Sequence, residues 1–170
     1  MESDLLAAAA AVLVAVLAGL AVRRWLLFVT KVDSVSMAPA LRPGRHVLTR
    51  PLRHPGRIRR GDVLVVTSPE LGRAVVKRVV GLPGERVVIE TTGRLCVDGI
   101  PVPEPYVVHP GGRGGSFQVP HGHLLLLGDN RVCSNDSRHW HSPYLPLTAV
   151  RGTVLTGCGR LRKHGRRRPG

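Results

Sequence analysis

From Leu5 to Val22 the chain contains only Leu, Ala, Val and a single Gly, and this run restricts the fold more than any other feature. Eighteen residues wound as a helix extend roughly 27 Å, and Trp25 to Val29 carry the apolar stretch past Arg23 and Arg24. One membrane crossing is expected, with Trp25 suited to the interface. A cleaved secretory leader is the competing reading, because Gly19-Leu20-Ala21 offers small residues at suitable spacing. Against it, Glu2 and Asp4 stand where a leader carries Lys or Arg. The expected organisation is an uncleaved anchor over residues 1–29, a β-rich domain over 30–158, and a basic, disordered tail over 159–170.

With 170 residues in all, the chain has room for one domain with a real core and not for two. Only 4% of residues are aromatic, whereas Gly, Pro and Val are plentiful, which favours short strands joined by turns over a helical bundle. The formal net charge of +14 suits a nucleic acid or an anionic membrane face as neighbour. Arg far outnumbers Lys, however, and GC-rich codon usage produces the same bias, so the charge is poor evidence for function. The tail has no aromatic stacking platform, and no nucleic-acid partner is expected. Cys96, Cys133 and Cys158 are isolated, with no Cys-x-x-Cys or zinc spacing, so neither a disulfide framework nor a metal is indicated. Whether one pair closes is left open. His121-x-His123 and His139-x-His141 are the remaining metal candidates, read here as polar surface near turns.

Two residues stand out chemically. Ser36 precedes Met37-Ala38-Pro39, where Pro39 fixes its own φ and pushes Ala38 out of the helical region, a sharp turn that can present a hydroxyl. A serine needs a base, and no Gly-x-Ser-x-Gly elbow or local cue selects one of the eight histidines. Lys77 is the better candidate. It lies in the β-branched run Ala74 to Val80, bounded by Gly72 and Gly81, and period-two alternation places Val75, Lys77 and Val79 on one face. Desolvation there disfavours the ammonium and lowers the lysine pKa toward what a general base requires. Further strands are expected at Val47 to Arg50, Val63 to Thr67, Arg86 to Glu90, Arg94 to Val97, Phe117 to Val119 and His123 to Leu127. Turns are expected at Thr92-Gly93 and Asp98-Gly99, and the basic connection Pro51 to Arg60 and the segment Pro101 to Gly115 read as loops.

Four blocks occur in order: Ser-x-Ser-Met-x-Pro at Ser34 to Pro39, Arg-Gly-Asp-Val at Arg60 to Val63, Lys-Arg-Val-Val-Gly-Leu-Pro-Gly-Glu at Lys77 to Glu85, and Gly-Asp-Asn-Arg-x-x-Ser-x-Asp-Ser-Arg at Gly128 to Arg138. In these blocks, with the apolar N-terminus, the chain resembles the type I signal peptidase family, membrane-anchored proteases that use a Ser/Lys dyad, and looks like a short member of it. The resemblance implies a mainly β fold of antiparallel sheets, of the signal-peptidase and LexA-like kind, preceded by one transmembrane helix. It implies Ser36 as nucleophile and Lys77 as base, the backbone N–H of Ser36 and the Ser34 hydroxyl as oxyanion donors, and Ser134 aiming the lysine. Asp136 and Arg138, with Arg78, are implied as a supporting ion-pair network, and Asp129 and Asn130 as its tight turn. Val32, Met37, Leu41, Val75 and Val76 carry over as the pocket for small side chains before the cut. The implied substrates are preprotein signal peptides with Ala-x-Ala sites, cleaved by a monomer without cofactor or metal on the extracytoplasmic side of the plasma membrane. Lys and Arg counts near the span point the other way, placing the Arg23, Arg24 side in the cytoplasm.

Three positions depart from the family pattern: Val35 beside the nucleophile, Ala40 after Pro39, and His139-Trp140-His141, which puts a histidine where a glycine usually turns. Rival readings are a self-cleaving LexA-like Ser/Lys protein, disfavoured by the apolar N-terminus, and a non-catalytic membrane-tethered β module.

Overall fold

The computed structural model describes residues 2–155, except for the side chains of Glu2, Leu5 and residues 22–25. Cys158 and the 159–170 tail lie outside the described residues. The chain opens with helix α1 (Glu2–Trp25), whose described side chains are all exposed, the apolar Leu6, Val12, Leu13, Val14, Val16, Leu17 and Leu20 among them. Among the described residues no helix is long and apolar enough to cross a membrane, the side chains from 6 to 21 forming the longest continuous run.

Eleven strands follow: β1 (Phe28–Lys31), β2 (His46–Pro51), β3 (Val63–Ser68), β4 (Arg73–Gly81), β5 (Arg86–Ile89), β6 (Leu95–Val97), β7 (Ile100–Pro101), β8 (Gly115–Gln118), β9 (His123–Leu127), β10 (Tyr144–Pro146) and β11 (Val150–Val154). Seven build one sheet in the order β1-β2-β11-β3-β4-β9-β10, and the other four build a second, β7-β6-β5-β8. Every strand pairing in both sheets is antiparallel, as expected for a mainly β chain. Asp98 and Gly99 both take positive φ, the combination a two-residue type I′ hairpin demands, and they join β6 to β7 with Val97 opposite Ile100.

Within the larger sheet β3 and β9 are buried on both faces, which is why they are nearly unbroken apolar runs. Along β3, Val63 and Val65 pack with Val32, Met37, Leu41, Val47, Val76 and Val154, whereas Leu64 and Val66 face the opposite way toward Ile58, Val79, Leu124, Leu126, Trp140 and Leu145. Leu125 and Leu127 of β9 turn to a third cluster with Val80, Val87, Ile89, Leu95, Val97 and Val119, joining the two sheets. The seven expected strands are present with ends shifted by a residue or two. Strands β1, β7, β10 and β11 were not expected, and β11 occupies an inner position between β2 and β3. The basic connection is irregular apart from the end of β2 and a 3-10 turn at Pro55–Arg57.

Strand β4 is longer than its neighbour on one side. Residues Arg73 to Arg78 pair with β3, but β9 meets β4 only from Arg78 onward, so the edge from 73 to 77 has no strand beside it among the described residues.

Candidate active site

Ser36 sits in a single 3-10 turn, Val35–Met37, closed by the Ala38 N–H donating to the Val35 carbonyl at 3.0 Å. Ala38 is extended (φ −69°, ψ 147°), so the turn stops where Pro39 dictates. Met37, 1% exposed, plugs into the cluster with Val32 and Leu41 and pins the turn to the sheet. Val35 points outward, half exposed, while the neighbouring Ser36 is buried. The Ser36 and Ser34 hydroxyls lie 3.0 Å apart.

Lys77 is on β4, opposite Leu64 of β3, and only 3% exposed. The alternation argument placed it on a buried face, but both faces are buried from Val76 onward, so what isolates the amine is enclosure by loops and not strand polarity. Burial is the chief cause that lowers its pKa from 10.5 to about 8; Arg138 and Arg73 act in the same sense, while the charges of Asp136 and Asp129 oppose it. Its Nζ donates to Ser134 Oγ at 2.9 Å. The Ser134 hydroxyl also supports the Asp136 carboxylate. Burial would raise the Asp136 pKa, yet hydrogen bonds and charge from Arg138, with Ser134 and the Gly128 N–H, hold it below its ordinary value.

Ser34, Ser36 and Lys77 line one cleft of about 530 Å³, together with Val32, Met37, Val75, Val76 and Cys133. No hydrogen bond joins the Ser36 hydroxyl to the Lys77 amine among the described residues; one bonds to Ser34, the other to Ser134. The two halves meet at Gly128, where a Cβ would overlap the Ser134 hydroxyl and lie 2.5 Å from the Ser36 carbonyl oxygen. Only glycine allows that approach. Leu41 does not line the cleft: at 2% exposure it packs behind Val32 and Met37 in the core.

The expected ion-pair network divides into two separate pairs. Arg78 takes Asp129 as a bidentate partner (2.7 and 2.6 Å), so Asp129 is an anion for Arg78 as well as a turn residue. Arg138 takes Asp136 in the same manner (2.9 and 3.0 Å). Both pairs are nearly inaccessible to solvent, where planar forked contacts are strongest. Asn130 donates its N–H to the Ser36 carbonyl at 3.0 Å.

The four sequence blocks therefore interlock. Arg60 pairs with Glu85 at 2.6 Å and the Gly61 carbonyl accepts from Arg78, linking the second block to the third. Lys77 and Arg78 link the third to the fourth, and Asn130 links the fourth back to Ser36 in the first. Sequence reasoning assigned no role to Arg60, Glu85, Gly128, Glu104, Tyr106 or Arg131, and only their long-range contacts give them one. His141 is exposed, its N–H donating to Glu70. His123 Nδ1 bonds the His121 carbonyl, and no group of three or more His, Cys, Asp or Glu able to hold a metal occurs among the described residues. Cys96 and Cys133 are free thiols.

Comparison with known proteins identifies the family. The family model described as signal peptidase, peptidase S26, matches residues 5–156. A signal peptidase I of Leptolyngbya laminosa is 33% identical over 150 residues, covering 82% of this chain and 72% of the relative. A signal peptidase I of Bacillus licheniformis is 33% identical over 141 residues, covering 76% of this chain and 75% of its own length. The crystal structure of a signal peptidase I from Enterococcus faecalis V583 superposes with a TM-score of 0.53 at 30% identity, covering 59% of this chain and 97% of that one. The chain belongs to the signal peptidase family, the S26 peptidases.

Proposed function

We propose that the protein is a membrane-anchored serine endopeptidase that removes N-terminal signal peptides from exported preproteins, working as a monomer with Ser36 as nucleophile and Lys77 as base. The observation that carries this reading is a buried lysine amine, its pKa lowered to about 8, held by Ser134 in the same cleft as the Ser36 hydroxyl. A neutral amine takes the Ser36 proton as Oγ attacks the scissile carbonyl. Catalytic hydrogen bonds absent from a free enzyme commonly close when substrate excludes water, so the existing Ser34 and Ser134 contacts are compatible with a Ser36–Lys77 bond in the complex. The Ser36 N–H and the Ser34 hydroxyl donate to the developing oxyanion. Collapse of the tetrahedral intermediate breaks the peptide bond, and Lys77 returns the proton to the leaving amine. A water then loses its proton to Lys77 and attacks the Ser36 ester, and as the ester bond breaks Lys77 returns that proton to Ser36 Oγ, releasing the signal peptide's new carboxyl terminus.

An extended substrate is read by main-chain hydrogen bonds along the open edge of β4. The apolar Val32, Met37, Val75 and Val76 in the cleft suit small side chains before the cut. The anchor is supported by the eighteen-residue Leu/Ala/Val/Gly run and by exposed apolar side chains around α1, a pattern matched to lipid. With the span crossing once, the catalytic domain lies on the extracytoplasmic side, where preproteins emerge. Ser36→Ala and Lys77→Ala are expected to abolish cleavage of a signal-peptide substrate while leaving the protein folded, as a cooperative thermal melt would report. Cleavage retained by either folded variant rules the mechanism out.

A further inference from the structure

Nothing apolar is buried in the stretch from Gly128 to Arg131, although its Asn130 holds the Ser36 carbonyl and its Gly128 makes room for Ser134. Side-chain packing therefore cannot fix this loop. Polar contacts must, and several come from the segment between β7 and β8, which composition marks only as a Pro- and Gly-rich loop.

We propose that Glu104 and Tyr106 are positioning residues for the reaction, gripping the Gly128–Arg131 loop from both ends. At one end the Tyr106 ring covers Arg78, 3.9 Å from guanidinium carbon to ring centroid, and Arg78 in turn forks onto Asp129. At the other end Glu104 Oε1 accepts from Arg131 Nη2 at 2.6 Å, and Arg131 Nε donates to the Gly128 carbonyl at 3.0 Å. The Tyr106 hydroxyl donates to that same Glu104 oxygen at 2.7 Å and so ties the two grips together. Burial, and then the Glu104 charge, push the phenol well above its ordinary range, so it stays a donor. Arg131 is 1% exposed and its Nη1 has no hydrogen-bond partner, so Glu104 is the anion on which its burial depends. The same segment reaches further: the Gly111 carbonyl accepts from Arg138 at 3.2 Å, and His109 forms a parallel bridge with Asn130. None of these groups touches Ser36 or Lys77. They act by where they hold Asn130, Gly128 and Asp129.

This inference rests on the Ser36/Lys77 reading, and its test separates the two. Full-length protein in detergent micelles is assayed on a synthetic signal-peptide substrate as wild type, Ser36→Ala, Tyr106→Leu, Tyr106→Phe and Glu104→Gln, with thermal melts for each. Tyr106→Leu fills most of the volume but offers no ring face. It is expected to lower kcat by about 10- to 100-fold with KM nearly unchanged, the scale of a small misplacement of reacting groups. Its acid limb should also move to higher pH. The Asp136 and Asp129 charges favour protonated Lys77 while Arg138 and Arg73 oppose it, so a loosened Arg78 leaves Asp129 less neutralised. Tyr106→Phe keeps the ring over Arg78 and should recover most of kcat. Glu104→Gln should lower kcat less than Tyr106→Leu. A Tyr106→Leu enzyme with kcat within about twofold of wild type, or one whose loss matches its unfolded fraction with an unmoved acid limb, overturns the positioning role. Cleavage by Ser36→Ala overturns the parent reading and this one with it.

Discussion

Burying an amine on a strand costs stability, and at Lys77 the cost has a definite pH signature. Folding lowers its pKa from 10.5 to about 8, so between those values the unfolded chain holds a proton that the folded chain has released. Stability therefore rises with pH across that window, and below it the penalty is present in full, on the order of 3 kcal/mol. Lys77→Met keeps the apolar stem without the charge. It is expected to be more stable than wild type near neutral pH and no more stable above the ordinary lysine range, as read by urea denaturation at the two extremes. Equal stabilities at both would show that the amine is solvated. Catalysis should rise in the same direction, kcat/KM climbing through about pH 8 as the amine loses its proton. The identity of this residue was legible in its apolar surroundings, Val75, Val76, Val79 and Val80. The enclosing partners Ser134 and Asp136 were not, because contacts between residues nearly sixty apart leave no trace in a local pattern.

At the level of strands, β11 shows what pattern reading misses. Val150-Arg151-Gly152-Thr153-Val154 has a charge and a glycine at its centre, and glycine inside a run usually signals a break. Here it permits closeness: a Cβ at Gly152 would collide with the Arg50 carbonyl and lie 2.8 Å from Thr49 Cγ2. Gly152→Val is expected to separate β2 from β11, lowering stability by about 1–3 kcal/mol or more in thermal denaturation. Because β1 and β2 are joined to the rest of the sheet through β11, the cleft wall from Phe28 to Val32 should be lost with it. Thr153→Val, a substitution suited to a strand, should leave the melt unchanged. By contrast β3 and β9 were readable because burial on both faces makes them nearly continuous apolar runs, and β4 because valines flank Lys77 and Arg78. The segment between β7 and β8 was not, since its contacts are ion pairs and ring stacking that Pro and Gly content conceals.

Taken whole, the molecule places four short sequence blocks in mutual contact although as many as a hundred residues separate them. Their presence was legible and their pairings were not: Arg78 with Asp129 and Arg138 with Asp136 are choices only a folded chain makes. The proposed anchor makes a prediction at the same scale. Full-length protein should resist alkaline extraction from membranes, and a C-terminal reporter active only in the cytoplasm should stay silent; a bright reporter reverses the proposed orientation. The side of β4 from 73 to 77, which meets no strand among the described residues, carries a further consequence. A bare strand margin welcomes any unstructured polypeptide, whatever its side chains. Most encounters must then end without chemistry, and fidelity comes from rejection at the cavity instead of from tight initial capture. A client that folds promptly withdraws its own residues from that contest, so the tempo of export and the accuracy of processing are tied together.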